Sequence, residues 1–195
     1  ENGLLMLDLK SNIPDAEIKY SIGKPKGKGP FETYTEPINV SELDKVWAQQ
    51  FVDGVPKGRD FFSNINWHKA AGKSIGLKNK PAPQYSAAGN ASVANGILGS
   101  NERYGDKEWL GFAGKDFEAL IDLGDSVSIS SVNLRFFKGE GQWIYLPKKV
   151  SVFTSENGKK FDLAAATTEI YSEGKIATPS LKFNSDARYL KIVAE

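Results

Sequence analysis

The chain consists of short runs rich in β-branched and aromatic residues, separated by turn-forming residues. No segment keeps apolar residues at positions i, i+3, i+4 and i+7 over three turns, so no long amphipathic helix is predicted. Ile18, Tyr20 and Ile22 alternate with polar residues, which is typical of a strand with one buried face. Other runs that favour strands are 4–9, 46–51, 119–123, 132–137, 150–154 and 189–193. Short strands with frequent turns predict an all-β fold.

Two dipeptides that end in glycine predict particular turns. Asp53-Gly54 follows the run 46–51, and Asn157-Gly158 lies between the run 150–154 and Phe161. Such pairs tolerate the positive φ angles of a tight hairpin turn. The segment 164–169 is expected to form at most one helical turn.

A domain boundary is predicted within residues 73–83. This segment is basic, contains Pro81 and Pro83, and has only two large apolar residues, which is typical of an edge strand that continues into a linker. The parts on either side, about 75 and about 110 residues long, have the size of small β-sandwich domains. We therefore predict two tandem β-sandwiches, an immunoglobulin-like domain at 1–76 and a jelly roll at 83–195.

Composition and charge exclude several functional classes. The chain has 25 Lys and Arg against 24 Asp and Glu, so neither a nucleic-acid-binding face nor a polybasic membrane anchor is expected. No apolar run reaches the roughly 18 residues of a spanning helix, so membrane insertion is not expected. Without cysteine and with one histidine, His68, the chain offers no thiolate zinc site and no basis for a Ser-His-Asp triad. His68 is interpreted as a packed or solvated residue.

Catalysis is not predicted for this chain. The carboxylate pairs Asp122/Asp125 and Asp116/Glu118 have no accompanying sequence feature that indicates a cleft. The Gly- and Lys-rich segment 23–29 lacks the strand-to-helix context of a phosphate-binding loop. It is expected to be a basic hairpin loop.

Three segments in the N-terminal half follow a recognisable order: I-K-Y-S at 18–21, Y-T-E-P-I at 34–38 and H-K-A at 68–70. This order resembles the small sandwich domain that follows the catalytic barrel in bacterial β-N-acetylhexosaminidases of the chitobiase type. The family has D-G-S-E-P at the turn where this chain has G-K-P at 23–25. In the family this domain is a spacer without catalytic residues.

Six landmarks follow in the C-terminal half: V-A-N-G at 93–96, Trp109, I-D-L-G at 121–124, W-I-Y-L-P at 143–147, S-E-N-G-K at 155–159 and A-R-Y-L-K-I at 187–192. They resemble the discoidin domain, also called the coagulation factor 5/8 type C domain or family 32 carbohydrate-binding module. The run 99–116 is similar to the version attached to Bacteroides-type β-N-acetylhexosaminidases of glycoside hydrolase family 20. The resemblance covers nearly all of 84–195 and implies a discoidin-type jelly roll.

The resemblance implies a non-catalytic accessory region of an exported glycoside hydrolase. Because the chain begins at Glu1 without a visible signal peptide, we expect it to be a fragment or processed product of a longer protein. The implied partners are a glycan or terminal sugar and an upstream catalytic domain, and the implied location is extracytoplasmic, whether periplasmic, cell-surface or secreted. The alternative is a structural or protein-interaction module that braces the catalytic domain without binding sugar.

A sugar site needs exposed aromatic faces and polar groups on loops. Two loops, 101–109 and 139–143, carry such residues, and the candidates are Arg103, Tyr104, Trp143 and Glu140. Galactose or N-acetylhexosamine types are the ligands that the resemblance favours. Trp109 matches a buried Trp of the family and is expected to pack in the core, whereas Trp143 either binds sugar or packs on the end of the sandwich.

The resemblance also implies a structural Ca²⁺ site. The family often holds the ion in the loop that is 93–100 here, with backbone carbonyls, an Asp, a Ser or Thr and a late Glu, which are oxygen ligands of the kind Ca²⁺ prefers. The corresponding residues are Val93, Asn95, Ile97, Ser100 and Glu195. Asn95 stands where the family has Asp, so one negative charge is missing and weaker binding is expected. The alternative is a hydrogen-bonded turn without a metal.

Overall fold

The computed structural model describes residues 5–40, 45–105 and 108–195. The chain forms two compact units: the first comprises Glu1–Gly72 with Gly96–Leu98, and the second comprises Lys73–Asn95 with Gly99–Glu195. The regular elements of the described residues are β-strands and three short 3₁₀ helices. None of these helices has the length or apolar character needed to cross a membrane. The all-β class is confirmed.

In the described part of the first unit, six strands form two antiparallel sheets. The strands are β1 (Leu5–Leu7), β2 (Glu17–Ile22), β3 (Glu32–Thr33), β4 (Ile38–Val40), β5 (Lys45–Val52) and β6 (Val55–Asn64). One sheet pairs β1 with β4, and the other has the order β3-β2-β5-β6. The predicted Asp53-Gly54 turn joins β5 to β6, with φ angles of 52° and 74° at its two residues.

The core of the first unit is built on Val40, Val46 and Ile65, which are almost fully buried. The alternation predicted for β2 is not observed, because Ser21 is the buried residue of this strand and Ile18, Tyr20 and Ile22 are half-buried. Ile22 packs on this core, but the Tyr20 hydroxyl donates a hydrogen bond to Glu32 Oε2 at the surface (2.9 Å). Burial in this small unit therefore does not follow strict alternation along the strand.

The second unit contains a five-stranded antiparallel sheet of order β11-β10-β14-β8-β7 and a three-stranded sheet of order β12-β13-β9. The strands are β7 (Ser74–Leu77), β8 (Phe117–Asn133), β9 (Phe136–Phe137), β10 (Val150–Ser155), β11 (Asp162–Thr167), β12 (Ser172–Glu173), β13 (Ile176–Ala177) and β14 (Ser180–Ala194). The 3₁₀ helices are Pro83–Tyr85, Asn90–Val93 and Glu140–Gln142.

Strand β8 shows the alternation expected of a half-buried strand. Ala119, Ile121 and Leu123 are buried, while Leu120 between them is 40% exposed. The predicted Asn157-Gly158 turn joins β10 to β11, and the Asn157 side chain accepts backbone N–H groups from the two residues after Gly158. The segment 164–169 forms no helical turn, because residues 164–167 belong to β11, which pairs with β10.

The chain divides between Gly72 and Lys73, at the start of the predicted boundary segment. Residues 73–76, predicted as the end of the first domain, group with the second unit, because β7 pairs with β8 through Ile75 and Ile121. The pairing satisfies backbone groups along one edge of β8, which explains why this segment joins the second unit. That the units are immunoglobulin-like and discoidin-type stays a prediction.

A bidentate ion pair links β8 to β14 in the second unit. Arg188 Nε and Nη2 donate to the two carboxylate oxygens of Asp122 at 2.8 and 2.9 Å, and the Gly124 N–H donates to Asp122 Oδ1 at 2.9 Å. These hydrogen bonds, with that of Arg188 the strongest, lower the pKa of Asp122 from 3.8 to about 2.

We expect the ion pair to make the stability of the second unit depend on pH. Its contribution is complete above the ordinary pKa of 3.8 and is lost as the pH falls towards the folded-state pKa of about 2. Urea unfolding between pH 2 and 5, read from amide signals of β8 and β14, measures this loss. Asp122→Asn should have a smaller pH dependence than the wild type, by up to about one proton per molecule.

Asp162→Asn is the matched control, because the Asp162 carboxylate lies 3.9 Å from Lys160 Nζ on an exposed surface. This variant should keep the wild-type pH dependence. Equal pH dependence in Asp122→Asn and the wild type would contradict the account.

Candidate functional site

The second unit has a cavity of about 250 Å³ whose walls come from three distant chain segments. Its volume lies just below the roughly 300–1,000 Å³ of pockets for drug-sized ligands, so it suits a group about as large as one sugar ring. The lining residues considered below are Glu102, Tyr104, Phe137, Lys138, Gln142 and Lys175.

Pairing of the small sheet assembles this cavity. Ile176 of β13 pairs with Phe137 of β9, and the Lys138 N–H donates to the Lys175 carbonyl at 2.7 Å. These bonds bring Lys175, from the β12–β13 hairpin, next to Lys138. No local sequence pattern around Lys175 indicates this neighbour.

Tyr104 forms a wall of the cavity. Its ring centroid lies 5.9 Å from that of Phe137 and 6.1 Å from that of Tyr85, both in edge-on arrangements. Such geometry is favourable for aromatic pairs. Tyr104 is therefore half-buried, and two neighbouring rings fix its position.

Trp109 packs beneath the loop that carries Tyr104. Its Nε1 donates to the Ser100 carbonyl at 3.0 Å, and its ring lies 5.7 Å from the Phe137 ring. The Arg135 guanidinium lies 5.2 Å from the Trp109 ring centroid and donates to the Gly99 carbonyl. Trp109 packs against Phe137 and Arg135 but is half-buried, so it is not part of the fully buried core expected for it.

Trp143 is the most exposed large apolar side chain in the described residues, at 84%. Its loop is held by reciprocal hydrogen bonds between the backbones of Gly139 and Ile144 and by the Trp143 N–H bond to the Glu140 carbonyl. Trp143 has a left-handed backbone with φ of 58°, a conformation that costs a residue other than glycine about 1 kcal/mol or more. The ring is thus presented to solvent on an ordered loop beside Gln142, which disagrees with the interpretation that Trp143 packs on the sandwich.

Both lysines of the cavity are paired with carboxylates. Lys175 Nζ lies 2.9 Å from Glu102 Oε2, and Lys138 Nζ lies 3.2 Å from Glu140 Oε1. All four side chains are partly exposed, so these ion pairs contribute little to stability. Their polar atoms can exchange hydrogen bonds with a ligand.

Of the four predicted sugar-binding residues, only Tyr104 is among the residues that line the cavity, and the other three are close to lining residues in the chain. Trp143 and Glu140 lie on the loop that contributes Gln142. Arg103 is exposed and lies between two lining residues in the chain, and its backbone N–H donates to Ser100 Oγ at 3.2 Å.

Two of the predicted calcium ligands, Asn95 and Ser100, form hydrogen bonds within the chain. Asn95 Nδ2 donates to Glu108 Oε2 at 2.9 Å, and Ser100 Oγ accepts two backbone N–H groups. Ile97 groups with the first unit, whereas Val93, Asn95, Ser100 and Glu195 group with the second.

Glu195, the last of the five predicted ligands, contacts Lys148 and Lys149. Its backbone bonds to those of Lys148 and Lys149, and its carboxylate lies 3.8 Å from Lys149 Nζ. Among the described residues, no group of three or more His, Asp or Glu side chains is arranged to hold a metal ion.

Sequence reasoning missed Glu102, Phe137, Lys138, Gln142 and Lys175. Gln142 could have been found, since it lies next to Trp143 in a glycine-marked loop. The others come together through strand pairing, which leaves no local signal.

No family model matches the chain, and no curated protein matches its sequence. Its structure is similar to chitosan-binding module 1 of a chitosanase/glucanase from Paenibacillus sp. IK-5, with 15% identity over 66% of this chain and 86% of that chain and a TM-score of 0.47. It is also similar to the module CpGH89CBM32-5 from Clostridium perfringens in complex with GalNAc-β-1,3-galactose, with 19% identity over 62% and 82% and a TM-score of 0.39. A third is a putative α-L-fucosidase from Bacteroides thetaiotaomicron, with 12% identity over 64% and 24% and a TM-score of 0.40.

Proposed function

We propose that this chain is a non-catalytic accessory region of an exported glycoside hydrolase, and that its second unit binds the terminal sugar of a glycan. The observation that carries the proposal is the Trp143 ring, 84% exposed on a hydrogen-bonded loop whose residues Gly139 and Gln142 line a small cavity. An exposed indole ring on an ordered loop offers a flat apolar face that a ligand can cover.

The chemistry of this site matches that of a sugar ring. The Trp143 ring offers a flat apolar face to the C–H side of the sugar. Gln142 has an amide that both donates and accepts, Glu102 accepts, and Lys138 and Lys175 donate. Sugar hydroxyls donate and accept, so this set of groups can satisfy them.

The function of such a site is to tether the protein to its glycan. One sugar ring offers few atoms, so we expect millimolar affinity. Weak binding still raises the local concentration of glycan at an upstream catalytic domain. We propose that this domain resembles a β-N-acetylhexosaminidase, that the protein is extracytoplasmic, and that the first unit is an immunoglobulin-like spacer followed by a discoidin-type jelly roll.

Titration of the chain with galactose, N-acetylgalactosamine, N-acetylglucosamine and their β-linked disaccharides, followed by NMR, tests sugar binding. We expect saturable shifts at millimolar sugar, confined to residues of the cavity and the Trp143 loop. If no sugar in this panel binds, the proposal fails and the alternative of a structural brace for the catalytic domain gains support.

Calcium binding by Val93, Asn95, Ile97, Ser100 and Glu195 stays a prediction. If the ion binds, millimolar CaCl₂ should raise the Tm of the second unit by a few degrees, since a ligand that binds only the folded state stabilises it. MgCl₂ at equal ionic strength is the control. An unchanged Tm in CaCl₂ would contradict the prediction.

A further inference from the structure

The cations that line the cavity have counter-ions of their own. Glu102 holds Lys175 both through its carboxylate, at 2.9 Å, and through its backbone carbonyl, at 3.3 Å. Glu140 holds Lys138 at 3.2 Å. Each lysine therefore has an acceptor before any ligand arrives.

Charged and uncharged ligands interact differently with these ion pairs. The carboxylate of a uronic or sialic acid would need a lysine as its partner, but it would meet a glutamate beside each lysine and be repelled. The ammonium of an amino sugar would meet Lys138 and Lys175 in the same way. A hydroxyl can donate to the glutamate and accept from the lysine, so an uncharged sugar uses both members of a pair without breaking it.

We propose that Glu102 and Glu140 determine specificity and make the cavity selective for uncharged sugars over acidic ones. This inference rests on the proposed sugar site. Glu102 has the larger role, because it lines the cavity and contacts Lys175 through two oxygens. Selectivity of this kind depends on repulsion of the wrong ligand as much as on attraction of the right one.

The size of the effect follows from the exposure of these groups. The side chains of Lys175 and Glu102 are 52% and 77% exposed, so water and salt weaken their fields. We expect the wild-type chain to favour the uncharged sugar by roughly fivefold, the upper end of the range for exposed ion pairs.

The experiment uses sugars that differ in one group. The methyl glycosides of galactose, galacturonic acid (with its C6 carboxylate free) and galactosamine are titrated into the full chain by NMR, with the corresponding glucose series beside them. Glu102→Gln removes the negative charge beside Lys175, so the affinity of the variant for the uronide should rise roughly fivefold, and this gain should disappear in about 1 M NaCl. Its affinity for the neutral glycoside should change less than the affinity for the uronide.

Asp162→Asn is the control. Asp162, on strand β11, forms an ion pair with Lys160, and neither residue lines the cavity. It should leave the preference unchanged. If the wild type binds the uronide as tightly as the neutral glycoside, or if Glu102→Gln gains no affinity for the uronide, the selectivity proposal is wrong while the sugar site stands. If neither the neutral nor the charged probes bind, the sugar site fails and the selectivity proposal fails with it.

Discussion

Trp143→Ala is expected to lower the affinity of the chain for sugar at least tenfold. The ring is 84% exposed, so it is available to a ligand, and its loop is already ordered by the hydrogen bonds between Gly139 and Ile144. A sugar therefore gains the stacking contact without ordering the loop. Loss of one well-placed aromatic contact of about 1.4 kcal/mol corresponds to a tenfold change in affinity.

The variant should keep its fold, because truncation of a side chain exposed to solvent changes stability by no more than about 0.5 kcal/mol. NMR titration with the best neutral sugar of the panel measures affinity, and thermal unfolding checks stability. Trp67→Ala is the matched control, since Trp67 is also exposed, at 47%, but lies in the first unit. Wild-type affinity in Trp143→Ala would show that the site has been placed wrongly.

Gly99→Ala is expected to destabilise the second unit by about 2 kcal/mol, within the range for overpacking a filled site. A Cβ at this position would lie 2.5 Å from two ring atoms of Trp109, Cε2 and Nε1. The ring cannot move aside easily, because its Nε1 bonds to the Ser100 carbonyl and the Arg135 guanidinium covers it.

Gly141→Ala is the control for this prediction, because a Cβ there would have no heavy atom within 4 Å among the atoms considered. We expect it to change stability by less than about 0.5 kcal/mol. Urea unfolding, followed through amide signals of β8 and β14, measures both variants. If Gly99→Ala is as stable as Gly141→Ala, the packing described around Trp109 is incorrect.

Local patterns predicted several of the strands, but no run covered β6 (Val55–Asn64), and the run 132–137 is divided between β8 and β9. The run 150–154 falls within β10, and Asn157-Gly158 forms the expected turn because the glycine takes a φ of 68°. The domain boundary was harder to place. Ser74–Leu77 has the composition of an edge strand, and only its pairing with β8 shows which unit contains it.

The residues of the candidate site, likewise, could be predicted only in part from the sequence. Exposed aromatic and polar residues in glycine-marked loops led to Trp143 and Glu140 from the sequence alone. Lys175 and Lys138 are 37 positions apart and meet through the pairing of β13 with β9. Tyr104 was expected to be exposed because its neighbours are polar, but the rings of Tyr85 and Phe137 hold it half-buried. Such contacts depend on tertiary structure, which local sequence does not encode.

The most direct measurement follows the indole N–H signals of the chain's four tryptophans during titration with a neutral sugar. Trp143 and Trp109 belong to the second unit, and Trp47 and Trp67 to the first. Substitution of each tryptophan by phenylalanine assigns its signal. The account predicts a large, saturable shift for Trp143, with the Trp47 and Trp67 signals unmoved. Two results would contradict it: the sugar binds and the Trp143 signal does not move, or no sugar binds.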